Sequence, residues 1–320
     1  MAATVSRPTS PSRKRRPGPT AAGVAALALA LLLSGCGDKA DDPRSGASKK
    51  SSAPLTHLLP DDIRDKGFIK VGTEAYYQPL EYLSSSAATM GLDPDIAAAM
   101  GKQLGVTFDF ENGPFDGLLS GLRAKQYDVV MAGMTDTQAR QDGTDPDTGR
   151  RSGGGVDFVD YFNSGVALYG RKGATDGVKS WDDLCGKRIG VERGTVSEDI
   201  AHSHADKCPA ANPLDVAEAE DDEKAQAQLA SGAVDFVSSD YPVAAHAVQE
   251  SHGSNALTLI GRQVEAAPYG IAVAKDNTRL RDALSSALDA IIKNGEYAKI
   301  LAKWDVKDGA VPQAVVNGGK

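Results

Sequence analysis

The sequence lacks the short motifs that mark most enzymes. There is no G-x-S-x-G turn to expose a serine nucleophile. No G-x-x-x-x-G-K-[ST] or G-x-G-x-x-G loop is present to cradle a phosphate, so nucleotide hydrolysis belongs to another chain. His202 and His204 lie two apart, with no Cys or carboxylate cluster at ligand spacing. No metal site and no cofactor are expected. Basic charge is scarce. Of 35 basic residues five precede residue 20, so 30 remain against 43 acidic ones, a net charge of −13 past the N-terminal segment. That balance excludes nucleic acid as a partner, because phosphate binding needs a cationic face.

Long hydrophobic runs are almost missing as well. The one that exists covers thirteen residues from Ala21 to Leu33, behind Arg7, Arg13, Lys14, Arg15 and Arg16. It has the charge order and length of a signal peptide and falls short of the roughly 20 apolar residues a membrane span needs. It ends in Leu33-Ser34-Gly35-Cys36. This tetrapeptide resembles the lipobox of bacterial lipoproteins. The resemblance implies that residues 1–35 are removed and that Cys36 carries lipid, which anchors the chain on the extracytoplasmic face of the cell membrane. An ordinary secretory leader with a chance Cys is the alternative.

Cysteine is rare, with three in the chain. If Cys36 is acylated, Cys185 and Cys208 remain in an oxidising compartment. They are either joined, closing a loop worth roughly 3 kcal/mol, or two buried thiols. Spacing alone does not bring their Cα atoms together.

The stretch 36–59 is rich in Ser, Lys, Asp and Pro and reads as a flexible tether. The tail 306–320 reads as disordered, and 141–155 as a long polar loop. Strand and helix signals alternate between them. Phe68-Ile69-Lys70-Val71 is a strand. Asp93-Pro94 reads as an N-cap with Pro at the first helical position, and Ile96, Met100 and Leu104 follow at helical spacing up to Gly105. Val106–Phe110 and Tyr127–Met131 are strands flanking a helix with Phe115, Leu118, Leu119 and Leu122 on its apolar face. Two helices close the pattern, one lined by Leu280, Leu284, Leu288 and Ile291, the other at Glu296–Trp304. Such alternation predicts an α/β fold with helices on both faces of parallel strands.

An internal echo predicts two lobes of similar design. Leu122, Asp128, Val129 and Val130 recur at the same spacing as Leu229, Asp235, Phe236 and Val237, and five residues past each Asp come Gly133 and Asp240. Strand ends that face one another would make a ligand cleft. Straight after the first of these strands, Ala132 to Arg140 offers backbone N–H groups, two hydroxyls and a guanidinium suited to a carboxylate.

Several segments in order resemble the extracellular solute-binding proteins, family 3, the amino-acid-binding components of ABC transporters. They are Val71-Gly72-Thr73-Glu74 with Tyr77 and Pro79; Gly91 to Ile96; Ala132 to Arg140; Val156-Asp157-Phe158; Asp182 to Lys187; Gly190-Val191 with Gly194-Thr195; Val234-Asp235 with Asp240; and Tyr269 to Val273. The resemblance implies a two-lobe, type II periplasmic-binding-protein-like fold with a two-strand hinge and a central cleft. Lobe 1 would span 60–165 plus 267–305 and lobe 2 would span 166–266. It implies that Arg140 clamps an α-carboxylate, helped by Thr135, the Gly133 region, Thr195 and the Val196 amide. Asp240 would accept the α-ammonium. Tyr77 and Phe115 would wall the ligand's side chain, and Glu74 would sit near its far end. The expected protein is a monomeric, non-enzymatic binding lipoprotein that hands an amino acid, cationic or polar, to a membrane permease. A cyclohexadienyl-dehydratase-like enzyme and a sensor without transport are the alternatives. Three departures from the pattern stand out: Leu80 in place of Phe, Asp136 at an apolar position, and the longer 141–155 loop.

Overall fold

The computed structural model describes residues 53–144, 150–151 and 153–320. The leader, Cys36, the tether up to residue 52 and the middle of the 141–155 loop lie outside the described residues.

Lobe 1 opens with α1 (Asp61–Lys66) and β1 (Phe68–Thr73), then a small sheet of β2 (Tyr76–Tyr77), β3 (Glu81–Leu83) and β4 (Thr89–Met90). Next come α2 (Leu92–Leu104), β5 (Thr107–Asn112), α3 (Phe115–Arg123), β6 (Val129–Val130) and α4 (Gln138–Asp142). β7 (Val156–Arg171) enters lobe 2, which holds β8 (Arg188–Glu192), α5 (Val196–Ala205), β9 (Asp215–Ala219), α6 (Asp222–Ser231), β10 (Phe236–Asp240) and α7 (Tyr241–Glu250). β11 (Leu257–Ala274) returns to lobe 1, where α8 (Thr278–Lys293), α9 (Glu296–Lys303) and β12 (Val315–Val316) follow.

One sheet runs through both lobes in the order β5-β1-β6-β11-β7-β10-β8-β9, with β12 added to β7. β7 and β11 are long enough to belong to both. Tyr269–Ala274 pairs with Val156–Phe162 on the lobe 1 side, and Leu257–Ile260 pairs with Leu168–Arg171 on the lobe 2 side. The register slips between these blocks, around Val264 and Ala267. Two crossing strands with a loosened ladder between two packed ends form the hinge of a type II, two-lobe α/β fold.

Each lobe has its own core. Ile69, Val71, Leu92, Ile96, Met100, Leu284 and Leu288 are buried together in lobe 1. Val166, Leu168, Trp181, Leu184, Ile189, Val191 and Phe236 are buried together in lobe 2. The internal echo holds atom for atom. Asp128 accepts the Lys70 N–H and donates its own N–H to the Lys70 carbonyl, and Asp235 does the same with Arg188. The Gln126 N–H bonds the Gly121 carbonyl, just as Ala233 bonds Gln228. In both lobes the Asp ties the start of a central strand to the start of its parallel neighbour. Cys185 and Cys208 are joined, with Cα atoms 5.4 Å apart.

Three expectations are corrected. Helix α2 begins at Leu92, capped by Gly91 at φ +139°, and not at an Asp93 cap. A Cβ at residue 91 would stand 2.1 Å from the Leu80 carbonyl oxygen, so only Gly fits this entry. Residues 53–59 belong to lobe 1 and are no tether. Leu59 is fully buried, the Leu55 N–H bonds the Gln103 carbonyl at 2.9 Å, and the Thr56 hydroxyl bonds the Leu104 carbonyl at 2.9 Å. The segment 306–320 is ordered. Val311 is buried and β12 pairs with Val159 and Asp160 of β7. Phe158 and Asn317 exchange two hydrogen bonds at 2.8 and 3.1 Å. The open edge of β7 supplied a ladder that the tail's composition gave no hint of.

Candidate functional site

Arg140 sits on α4, a five-residue helix started by the Thr137 hydroxyl, which accepts the Arg140 N–H. Its guanidinium bridges the lobes, donating to the Thr135 carbonyl at 2.7 Å and to the Gly194 carbonyl at 2.9 Å. The guanidinium carbon stands 5.4 Å from the centre of the Phe115 ring, so a second expected residue supports it from lobe 1. Burial lowers the Arg140 pKa, while Asp199, Asp240 and Asp136 act in the opposite sense. The segment 134–136 is itself held on hinge strand β11, with Gly270 N–H bonding the Met134 carbonyl and Asp136 N–H bonding the Pro268 carbonyl.

Lobe 2 presents the Gly194-Thr195-Val196 turn. The Thr195 hydroxyl is engaged twice, donating to the Glu192 carbonyl at 2.7 Å and accepting the Glu198 N–H as the cap of α5. It therefore shapes the turn. Val196 opens α5, where first-turn N–H groups have no acceptor inside the helix and carry the positive end of its dipole. Gly133 is committed in the same way. Its N–H bonds the buried Asp93 carboxylate at 3.0 Å, which also accepts the Tyr161 hydroxyl at 2.7 Å and is hydrogen-bonded with Glu81. Gly133 thus orders the loop through Asp93.

Tyr77 and Asp240 meet across the cleft. The Tyr77 hydroxyl accepts the Asp240 N–H at 3.0 Å. Burial pushes the Asp240 carboxyl up to about 7, against the pull of the Tyr269 and Tyr77 hydroxyls and of Arg140. Asp240 closes β10 and caps α7, so a strand end positions it as the echo with Gly133 implied.

Glu74 lies just past β1, 2% exposed, with one carboxylate oxygen lacking a partner. Burial, then Asp221 and Asp222 of lobe 2, raise it to about 8. It borders a cavity shared with Asn112, Asp221, Glu223 and Lys224. Two further acids were not foreseen. Glu192, the last residue of β8, is 3% exposed and also has an unpartnered oxygen. Asp222 is buried at the start of α6, bonded by the Ser239 hydroxyl and by Gln226 Nε2, and burial raises it to about 6. A signal for Glu192 was present, since it is an acid at the end of an apolar strand two residues before a Gly-Thr turn. Asp136 points elsewhere. It is buried against Gln141 and the Gly319 N–H, each at 2.8 Å, and serves the C-terminal strand. His202 does have carboxylate company, with ligand atoms of Glu198, His202 and Glu218 within 4.8 Å of one another, although Arg193 already approaches Glu218 at 3.5 Å.

Arg140 and Tyr77 thus each bond across to lobe 2, at Gly194 and Asp240, while Glu74, Glu192, Asp222 and Asp240 are buried. A model of the bacterial extracellular solute-binding proteins, family 3, matches residues 69–307. The chain belongs to that family. It is 26% identical over 265 residues to the arginine-binding protein ArgT of Corynebacterium glutamicum, covering 81% of each chain. It is 31% identical over 296 residues to a probable histidine-binding protein of Neisseria gonorrhoeae, covering 89% of this chain and 95% of the relative. Among solved structures, an ancestral arginine-binding protein bound to arginine superposes with a TM-score of 0.67 at 35% identity, over 74% of this chain and 98% of the other. The family match ends at residue 307, so β12 and the tail docked on Asp136 and Asp160 lie outside the matched residues.

Proposed function

We propose that this solute-binding protein captures an α-amino acid with a cationic side chain by lobe closure and hands it to the permease of an ABC importer. The observation that carries the reading is the polarity of the crevice. Arg140 and the Val196 N–H stand at one end, Asp240 beside Tyr77, and buried Glu74 beyond them. An Arg fork and helix-start donors suit the α-carboxylate, and Asp240 suits the α-ammonium. A ligand lacking either pole would leave a buried ion without a partner, which costs several kcal/mol. The surplus of acid favours a positive side chain, in keeping with relatives named for arginine.

The test is thermal stability across the twenty amino acids. A ligand at a hundredfold excess over its Kd stabilises the folded state by about 2.7 kcal/mol. Arginine or lysine should raise the melting temperature, and Arg140→Ala or Asp240→Ala should abolish the rise. An unchanged rise in both variants would remove the site.

Binding without conversion is the expected chemistry. Prephenate and arogenate should be recovered intact, whereas turnover would favour a dehydratase. We place the chain, as a monomer, at the outer face of the cell membrane through lipid on Cys36, supported by the Leu33-Ser34-Gly35-Cys36 motif. Radiolabelled palmitate should enter the wild type and not Cys36→Ser.

A further inference from the structure

Asp136 and the tail past residue 307 are two departures from the family pattern. One is a buried acid where the resemblance implies an apolar residue, and the other lies outside the matched residues. In the structure they bond to each other. One Asp136 carboxylate oxygen accepts the Gly319 N–H at 2.8 Å, and the other accepts Gln141 Nε2 at 2.8 Å. The Gln141 amide also donates to the Gly319 carbonyl at 3.4 Å. Asp160 of β7 takes the Gly318 N–H at 2.9 Å. The approach is close enough to demand glycine. A Cβ at residue 319 would stand 1.9 Å from the Asp136 carbonyl oxygen, and one at residue 318 would stand 2.7 Å from the Asp160 carboxylate.

These contacts hold α4 near both of its ends. The Lys320 carbonyl accepts the Gln138 N–H at 3.2 Å at the start, and Gln141 is held by Asp136 near the finish. Five residues make too few internal hydrogen bonds to keep a helix formed in water, so α4 needs support from outside. Arg140 lies between the two held positions, and its guanidinium spans the Thr135 and Gly194 carbonyls. Gly318 and Lys320 also border a cavity of about 530 Å³ together with Thr135 and, from lobe 2, Val196 and Ile200. The tail thus stands beside the crossing that Arg140 makes.

We infer that Asp136 and the docked Gly318-Gly319-Lys320 segment form a strap that positions Arg140 and so sets how firmly the protein grips a ligand's carboxylate. The inference rests on the proposed clamp by Arg140 and adds the residues that aim it. Asp136 is a positioning residue and touches no ligand in this role. Without the strap α4 frays, and the guanidinium loses the fixed direction that its two bonds need. Binding must then order α4 first, and that cost is subtracted from the affinity.

Calorimetry with arginine reads the effect, on the full chain and on a chain without residues 318–320, each with Arg140 and with Arg140→Lys. Loss of the strap should weaken arginine about tenfold when Arg140 is present and less than about threefold when Lys replaces it, because an ammonium on a flexible stem has no fork to aim. Gly319→Ala, which blocks the seat with one methyl group, should give the same split. Asp136→Asn keeps an acceptor for the Gly319 N–H and should stay within about threefold of the wild type. Hydrogen exchange without ligand is an independent reading. Amides of residues 138–142 should exchange about tenfold faster or more in both tail variants, with α2 and α8 unchanged. Unchanged arginine affinity after loss of the strap, equal weakening in the two backgrounds, or unchanged exchange in α4 would overturn the inference and leave amino-acid capture standing. If the wild type binds no arginine, capture of a cationic amino acid falls, and faster exchange confined to α4 would still show the strap.

Discussion

The Tyr77 hydroxyl accepts the Asp240 backbone N–H at 3.0 Å across the cleft, between residues 163 positions apart in the chain. It is the buried counterpart of the more exposed bond from Arg140 to the Gly194 carbonyl. Together they hold the lobes closed from two points, and a ligand that touches both lobes adds to what they do.

Tyr77→Phe removes the first of these bonds while keeping the ring. A buried hydrogen bond contributes about 1 kcal/mol, so ligand affinity should fall about fivefold, with the Asp240 N–H left unpaired. Small-angle scattering should show a larger share of open molecules without ligand. An unaltered affinity and profile would mean that the bond does not contribute to closure.

Arg140→Lys tests the fork rather than the charge. Lysine has a single ammonium and cannot reach the Thr135 and Gly194 carbonyls with the planar geometry of a guanidinium. Affinity should drop by at least about tenfold, closer to Arg140→Ala than to the wild type, by titration calorimetry.

The pH dependence has a definite sign. Glu74 is raised to about 8, Asp240 to about 7, and Asp222 and Asp93 to about 6. In the unfolded chain these acids ionise near pH 4. Between pH 4 and 8 the folded state therefore holds more protons, and stability falls as pH rises. The ligand-free melting temperature should decline from pH 5 to 8.5, and the stabilisation by a cationic ligand should grow over the same range. A flat profile would show that the acids are not buried as described.

Deleting residues 315–320 strips Gly318 and Gly319 from the buried acids Asp160 and Asp136, and frees the Gln138 N–H at the start of α4. Leaving a buried carboxylate short of its donor costs about 1–3 kcal/mol. The truncated chain should melt lower and bind ligand more weakly, because α4 carries Arg140. Asp136→Asn in the truncated chain should recover part of the stability. An intact melting temperature would make the docked tail incidental.

Gly133→Ala should destabilise more than an ordinary loop substitution. Residue 133 has φ +54°, and an added Cβ would meet the Leu80 side chain at 2.7 Å. The expected loss is about 1–3 kcal/mol by denaturant titration. It should be accompanied by weaker binding, since the same loop leads to Thr135 and Arg140.

What could be read from residues alone was whatever repeats or is local. Apolar spacing gave α2, α3, α8 and α9 because a helix must bury one stripe. The paired Asp128 and Asp235 revealed two lobes because each performs the same backbone task at equal distance from its helix. Asp240 was legible as an acid at a strand end and Arg140 as the guanidinium of the polar segment after a strand, while Glu74 came from the family resemblance. Tertiary structure alone decided the rest. The Gly133 amide was consumed by Asp93, 40 residues earlier in the chain, which no local pattern discloses, whereas the Thr195 hydroxyl is held by its own turn in a Thr-x-x-Glu cap with Glu198. Glu192 and Asp222 became perturbed acids because burial, a property of the surroundings and not of the residue, stripped them of water. The tail became a strand because an edge of β7, about 160 residues earlier in the chain, had an unpaired row of N–H and C=O groups to offer.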